Sequence, residues 1–381
     1  MNNNFKSYYD LVNGALAQYG FDSMQTFIDS AFATRYDNIA WKSAFDWGIP
    51  KVGFTYTQLQ GTSLVAPKAT VIEYDADKPL RAPSSFSLST GKMPRMGHAI
   101  QFNEESFVQQ AQLVTNYSGV VPRWEDLFRI ITVDTAKLLQ GMHNQLNYMA
   151  FQIESTGHFI TNSSNNPDGI HGLDFDFNIP ALNKKKVVKV WSDSSADVVA
   201  DLHALITYAD ANFIPYGVLR MNKTTWNTLR LHPTVRANAA IQVTGGGIAA
   251  ANLATYAITD TQIRMYLEGL GLPPIEVVDE IVSVETFDVL TRKMVNTTMK
   301  AFADNTVVMR PAGIIGSVES ALPVAFNNPS EPIYTYEDGR ITILQTVSAK
   351  HKVMEFIAEF TGIPVLNNPN YIITLDIATA A

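Results

Sequence analysis

The chain has 381 residues, of which 46% are apolar and 17% charged, and its formal net charge is −8. That length exceeds one average domain and implies two or three lobes, while the low charged share leaves room for surface covered by other chains. The acidic balance argues against a protein that grips nucleic acid through its phosphates, and the absence of cysteine excludes disulfides, thiol catalysis and thiolate metal sites.

The start, MNNNFKSYYD, lacks the basic and apolar segments of a signal peptide, and no run of about 18 apolar residues follows anywhere. A soluble protein made in the cytoplasm is expected. Residues 1–50 are dense in aromatics, from Phe5 to Trp47, yet their helical stretches are short. Such a segment cannot bury its rings within itself and must lie on the main body or on a neighbouring chain. Residues 53–100 carry short alternating apolar patches broken by Gly61, Pro67, Pro79, Pro83, Gly91 and Pro94. They read as a long two-stranded excursion, a β-ribbon that must rest on something else.

The strongest helix runs from about 122 to 156. Pro122 suits a first turn, Glu125 and Asp126 suit the positive end, and Thr156-Gly157 stops it. Apolar residues recur at 124, 127, 128, 131, 138, 139, 142, 146, 149, 150 and 153, the spacing of one helical face. Its length is about 50 Å, and Gly141 at its middle costs about 1 kcal/mol. Residues 158–192 are turn-rich. A second helix is expected from Ser194 or Ser195, a buried strand in FIPYGVLRM, and a short helix after Asn222 as its cap. IEVVDEIVSVE, DNTVVMRP and the C-terminal third add strands. The irregular alternation of helix and strand places the fold in the α+β class. Between them AAIQVTGGGIAAANLATYA, 239–257, is small and almost uncharged. It reads as a mobile surface loop or, alternatively, as a loop packed against copies of itself at a symmetry axis.

No convincing active site emerges. The seven histidines are scattered. His158, His171 and Asp174 could form a metal site, with Asp176 near, but they lack a recognised ligand spacing, and Asp174 and Asp176 have the period of a strand's wet face. Gly245-Gly246-Gly247 is followed by no Lys-Ser/Thr and fits no dinucleotide pattern, and no G-x-S-x-G occurs. Asp279 and Glu280 are adjacent and read as solvated. Catalytic residues, metal ligands and cofactors are all expected to be absent.

The chain resembles the major capsid proteins of tailed phages, in particular lambda-type coat proteins with the Hong Kong 97-type fold. NTVVMRPAGIIGSVESALPVA, VMEFIAEFTGIPVLNNPNYIITLDI and YGVLRMNKTTWNTLRLHPTVR carry the resemblance by their order and spacing. It implies an N-terminal arm at 1–50 and an extended loop at 53–100. A peripheral domain at 101–193 would contain the spine helix, an axial domain would span 194–325, and 326–381 would return to the peripheral sheet, the last strand completing that sheet beneath the spine helix. It further implies self-assembly as hexamers and pentamers into an icosahedral shell that encloses double-stranded DNA without reading its sequence. Assembly is then expected in the host bacterial cytoplasm, with the virion capsid as destination and no membrane contact. A separate scaffolding protein, a portal and a decoration protein are the implied partners. Gly245, Gly246 and Gly247 would line the capsomer axis, and Lys68, Arg81, Lys92 and Arg95 would set contacts of the extended loop with a neighbour. Lys68, Lys78 or Lys92 could cross-link to Asn367 or Asn368, but surface charge is the simpler role. The alternatives are an encapsulin-like nanocompartment shell and, from another class, a metal-dependent hydrolase built on His158, His171 and Asp174.

Overall fold

The structure is a computed structural model that describes residues 8–32, 39–61, 68–71, 86–114, 123–245, 257–288, 290, 293–323, 332–348 and 353–381. It is α+β, with two large sheets, three two-stranded ones and two hydrophobic cores among the described residues. In the first sheet the long strand β16 (Val353–Leu366) is central. It pairs antiparallel with β4 (Arg95–Phe102), β13 (Gly316–Ser320) and β15 (Ile341–Ser348). β14 (Ile333–Tyr336) adds to β15, and β1 (Phe45–Trp47) runs parallel to β13.

Across this sheet lies α4 (Trp124–Thr156), 33 residues and so about 50 Å long. Leu127, Ile131, Leu138, Leu139, Met142, Leu146 and Ile153 recur three and four apart and are all buried. Gly157 ends the helix in the left-handed region (φ 77°), its N–H bonding to the Ile153 carbonyl. Pro122, the expected first-turn residue, falls outside the described residues. Gly141 has a packing role. A Cβ there would stand 2.3 Å from His98 Cε1, and His98 Nε2 donates to the Leu138 carbonyl at 2.7 Å. The missing side chain lets β4 bring its histidine onto the helix backbone.

The aromatic N-terminal segment packs on its own chain. α1 (Tyr8–Gln18) and α2 (Met24–Phe32) place Leu11, Leu16, Phe27 and Ile28 in the first core, where Tyr19 stacks on Phe128 and Phe27 meets its edge. α3 (Glu104–Val114) lies between β4 and α4 in sequence and rests on both.

The second sheet runs β7 (Lys184–Val187), β17 (Ile373–Ala380), β12 (Thr306–Arg310), β8 (Val218–Asn222) and β9 (Ile275–Val278). One face carries Leu219, Met221, Val307, Met309, Ile373 and Leu375 against α5 (Val198–Ala211), α6 (Lys223–Leu231), α7 (Pro233–Thr244) and α8 (Asp260–Gly269). Asn222 caps α6, accepting from the Thr225 N–H at 2.8 Å, as expected. α5 starts later than Ser194, because Asp197 is its cap and accepts from the Ala200 N–H. Ser195 belongs to a turn closed on Asp193.

The last strand also departs from expectation. β14 to β16 lie in the sheet under α4, but β17 leaves it and pairs with β12 and, in parallel, β7. Ile373, Leu375 and Ile377 enter the second core and Ile372, just before the strand, the first. Its one apolar face marks a buried side, but a strand's alternation cannot say which core covers that side.

Candidate assembly surface

The ribbon is real where the chain is described. β2 (Thr55–Gly61) and β3 (Phe86–Lys92) pair antiparallel from Thr55↔Lys92 to Gly61↔Phe86. Its inner face is anchored. Tyr56 lies buried over Phe177, and Gly91 leaves space for its ring, since a Cβ there would sit 2.5 Å from it. Buried Gln58 donates through Nε2 to the carbonyls of Phe177 and Leu366, both at 3.3 Å. The outer face keeps Leu88 64% exposed. At the ribbon's base Ile49, Val52 and Phe54 are exposed beside Leu322, whose N–H bonds the Lys51 carbonyl.

Of the charges singled out in this region, Lys68 and Lys92 are exposed. Arg95 forms an ion pair with Glu359 across the β4–β16 ladder of its own chain. Arg81 and Lys78 lie outside the described residues. Over the second sheet, α7 ends at Gly245, which takes the left-handed conformation (φ 65°) of a helix terminator. Gly246 and Gly247 lie outside the described residues. Beside Gly245, α7 and α8 pack together and leave Ile241, Val243, Met265 and Leu270 exposed.

The residues proposed for a metal do not converge. His158 on β5 (His158–Ile160) faces Asp174 and Asp176 on β6 (Asp174–Asp176) at 3.4 and 3.5 Å, and Lys184 Nζ stands 3.5 Å from its Nε2. An ammonium occupies the direction a cation would need. His171 instead donates to the Asn166 carbonyl, and among the described residues no group of three or more His, Cys, Asp or Glu could hold a metal ion. Asp279 and Glu280 follow β9 rather than sit within a strand. Asp279 meets Lys223 in solvent, but Glu280 is half-buried, and burial first and Asp279 second push its pKa up. Among the described residues no helix is long and apolar enough to cross a membrane.

Two buried polar networks went unread in the sequence. Glu154, near the end of α4, is fully buried and accepts from Arg220 Nη1 at 2.9 and 3.1 Å and from Arg310 Nε at 2.7 Å. Arg310 also donates to the carbonyls of Pro311 and Gly313, and Arg220 to Ser43 Oγ. The arginines stand on β8 and β12, so this cluster ties the second sheet to the spine helix. Its signal was present: each charge interrupts an apolar run, in AFQIEST, GVLRM and TVVMRP. The second network surrounds His143 at mid-helix. Trp41 Nε1 donates to its Nδ1 at 3.3 Å, and Nε2 faces Glu337 at 3.8 Å. Burial, with Lys42 adding to it, lowers the His143 pKa to about 3, so the imidazole is neutral. Glu337 and Asp338 both take positive φ (52° and 53°), a strained turn for these residues. Lys42 and the Trp47 indole N–H hold the Glu337 carboxylate in place at 3.2 and 2.9 Å.

The phage major capsid protein E family matches residues 43–377, from before the ribbon to the final strand. The chain belongs to that family. This capsid protein is thus a structural shell component of a bacteriophage, and the family that matches is a phage one rather than a nanocompartment one. No curated protein sequence matches it. Solved structures similar to it include a phage-related protein of Bordetella bronchiseptica RB50, 13% identical over 91% of this chain and 95% of that one, TM-score 0.47. The capsid of Myoviridae phage XM1 is 8% identical over 89% and 90%, TM-score 0.44. An encapsulin complex from Synechococcus elongatus PCC 7942 is 8% identical over 88% and 86%, TM-score 0.37.

Proposed function

We propose that copies of this capsid protein join as hexamers and pentamers into a closed icosahedral shell around double-stranded DNA. In this reading residues 1–50 are an arm and 53–100 the extended loop, while the first sheet with α4 is the peripheral domain and the second sheet, β7, β8, β9, β12 and β17 with α5 to α8, is the axial domain of a Hong Kong 97-type subunit. The observation that carries it is the ribbon. Its inner face is fixed by Tyr56 and Gln58, while its outer face presents Leu88 with nothing of its own chain over it among the described residues. A ribbon anchored on one face and open on the other leaves that open apolar face for a second subunit to cover.

Buried apolar area would supply the association energy, and Lys68, Arg81 and Lys92 would fix register through charge complementarity. Arg95 serves this role less directly, since Glu359 already holds it. The α7–α8 end, with Gly245, Gly246 and Gly247, would gather around the capsomer axis, where exposed Ile241, Val243 and Met265 find cover in other copies. The net charge of −8 suits a wall that does not adhere to packaged DNA. Scaffolding, portal and decoration proteins would come from separate chains, with assembly in the host cytoplasm. Deleting residues 60–90 tests this. A folded subunit that closes no shells is the expected result, and intact particles from the deletion would overturn the ribbon's role.

A further inference from the structure

The hairpin beneath the extended loop carries a cluster of titratable groups. Among the described residues β5 and β6 pair only with each other, in register His158↔Asp176, Phe159↔Phe175 and Ile160↔Asp174. Alternation gives this hairpin two unlike faces. On one, the rings of Phe159 and Phe175 stack, and Tyr56 of the extended loop lies against Phe175. Just past β6, the Phe177 N–H bonds back to the Gly157 carbonyl, and the Phe177 carbonyl accepts from Gln58. This short ladder is the seat on which β2 rests.

The other face carries His158, Asp174 and Asp176. His158 Nδ1 stands 3.4 Å from Asp174 Oδ1, while its Nε2 stands 3.5 Å from both Asp176 Oδ1 and Lys184 Nζ. The charged groups facing the ring are thus two carboxylates from β6 and one ammonium from β7. α4, also packed on β5, brings the uncharged Thr156 hydroxyl, which accepts from the His158 N–H at 3.1 Å. Nε2 is therefore placed equally between a donor and an acceptor, and one proton decides between them. A neutral ring with its proton on Nδ1 donates to Asp174 and offers the Nε2 lone pair to Lys184. A charged ring donates from both nitrogens, to Asp174 and Asp176, and repels the ammonium. Asp176 is felt at the ribbon as well: burial first and this carboxylate second push the Tyr56 pKa up.

We propose that His158 is a proton-controlled clasp beneath the extended loop. Neutral, it ties the hairpin through Lys184 to β7 and so to the second sheet. Charged, it lets go of β7 and closes the hairpin on itself through Asp176, its direct partner in the ladder and the residue before Phe177. Acid then firms the seat of the ribbon and frees that seat from the second sheet. Histidine ordinarily changes charge between about pH 5 and 8, which sets the window. The clasp belongs to the single subunit and goes beyond shell formation.

Hydrogen exchange of the unassembled full-length subunit at about pH 5 and about pH 8, corrected for the intrinsic pH dependence of exchange, tests the clasp. Exposed pairs of this kind shift local opening by about two- to fivefold. On going to acid, amides of 158–160 and 174–177 should gain that much protection, and those of 184–187 should lose it. Imidazole NMR should show His158 changing charge over the same interval. His158→Gln keeps a donor and an acceptor but takes up no proton, and should abolish both responses. Should it fail to fold, Lys184→Met at its exposed position should silence the response of 184–187 and leave that of the hairpin. Protection that moves in the same direction in both segments, or a response that survives His158→Gln, would overturn the clasp. So would a His158 ring that keeps one charge state throughout, or a response of 184–187 that survives Lys184→Met.

Discussion

At the end of α4, Glu154 is shut away from water and meets two arginines, each with further acceptors of its own. Packed at its base on the same helix but far from it in sequence, the ribbon of β10 (Ile281–Asp288) and β11 (Lys293–Lys300) projects with apolar side chains in solvent and, among the described residues, both outer edges unpaired. The first region is satisfied within one subunit, at the cost of desolvating three charges, and the second is left uncovered by its own chain among the described residues. The contrast separates what makes this chain fold from what makes it assemble, and substitutions in the two regions should fail differently. Changes in the buried networks should lower subunit stability. Changes in the ribbons should leave a stable subunit that assembles poorly.

The largest expected effect is at the clamp. Glu154→Gln leaves Arg220 and Arg310 buried without their counter-ion and should destabilise the unassembled subunit by about 3–5 kcal/mol, read by urea unfolding. An apolar replacement of all three residues should cost much less, because it removes the buried charges together. Next is His143. Its pKa is about 3 in the folded chain against 6.5 ordinarily, so the unfolded chain takes up a proton over that interval that the folded chain refuses. The associated stability is complete above about pH 6.5 and is lost as pH falls toward 3, on the order of 3 kcal/mol by pH 4. Thermal unfolding against pH should show it, and His143→Gln should flatten the profile in that window.

A smaller effect is expected at Gly141→Ala, whose Cβ would collide with His98. Overpacking of this kind costs about 1–3 kcal/mol, and His98→Ala should recover part of it. Asn222→Ala removes the α6 cap and should cost about 1–2 kcal/mol. Neither change touches a ribbon, so once folded both variants should still form particles in electron micrographs. A variant that folds normally yet forms none would blur the division between the two regions.

Much of the fold was legible because it depends on local pattern. The three-and-four spacing of α4, its stop at Gly157, the Asn222 cap and the pairing of the first ribbon all follow from neighbouring residues. What escaped depends on distant ones. Asp197 rather than Ser194 caps α5 because Ser195 is taken up by a turn on Asp193. β17 has one strongly apolar face, and only its pairing with Thr306–Arg310 decides which core receives it. Arg220 and Arg310 stand 66 and 156 positions from Glu154 in sequence, so no spacing could join them. For the assembly surface, the broken alternating patches of 53–100 marked the first ribbon. The ribbon at 281–300 emerges only once its two strands are seen to pair with each other and with nothing else among the described residues.

The central claim is that this chain is complete as a fold and incomplete as a surface. Electron microscopy of the purified, concentrated wild-type protein tests it most directly. Closed shells, tubes or sheets of hexamers are the predicted result, and a stable monodisperse monomer at high concentration would contradict it.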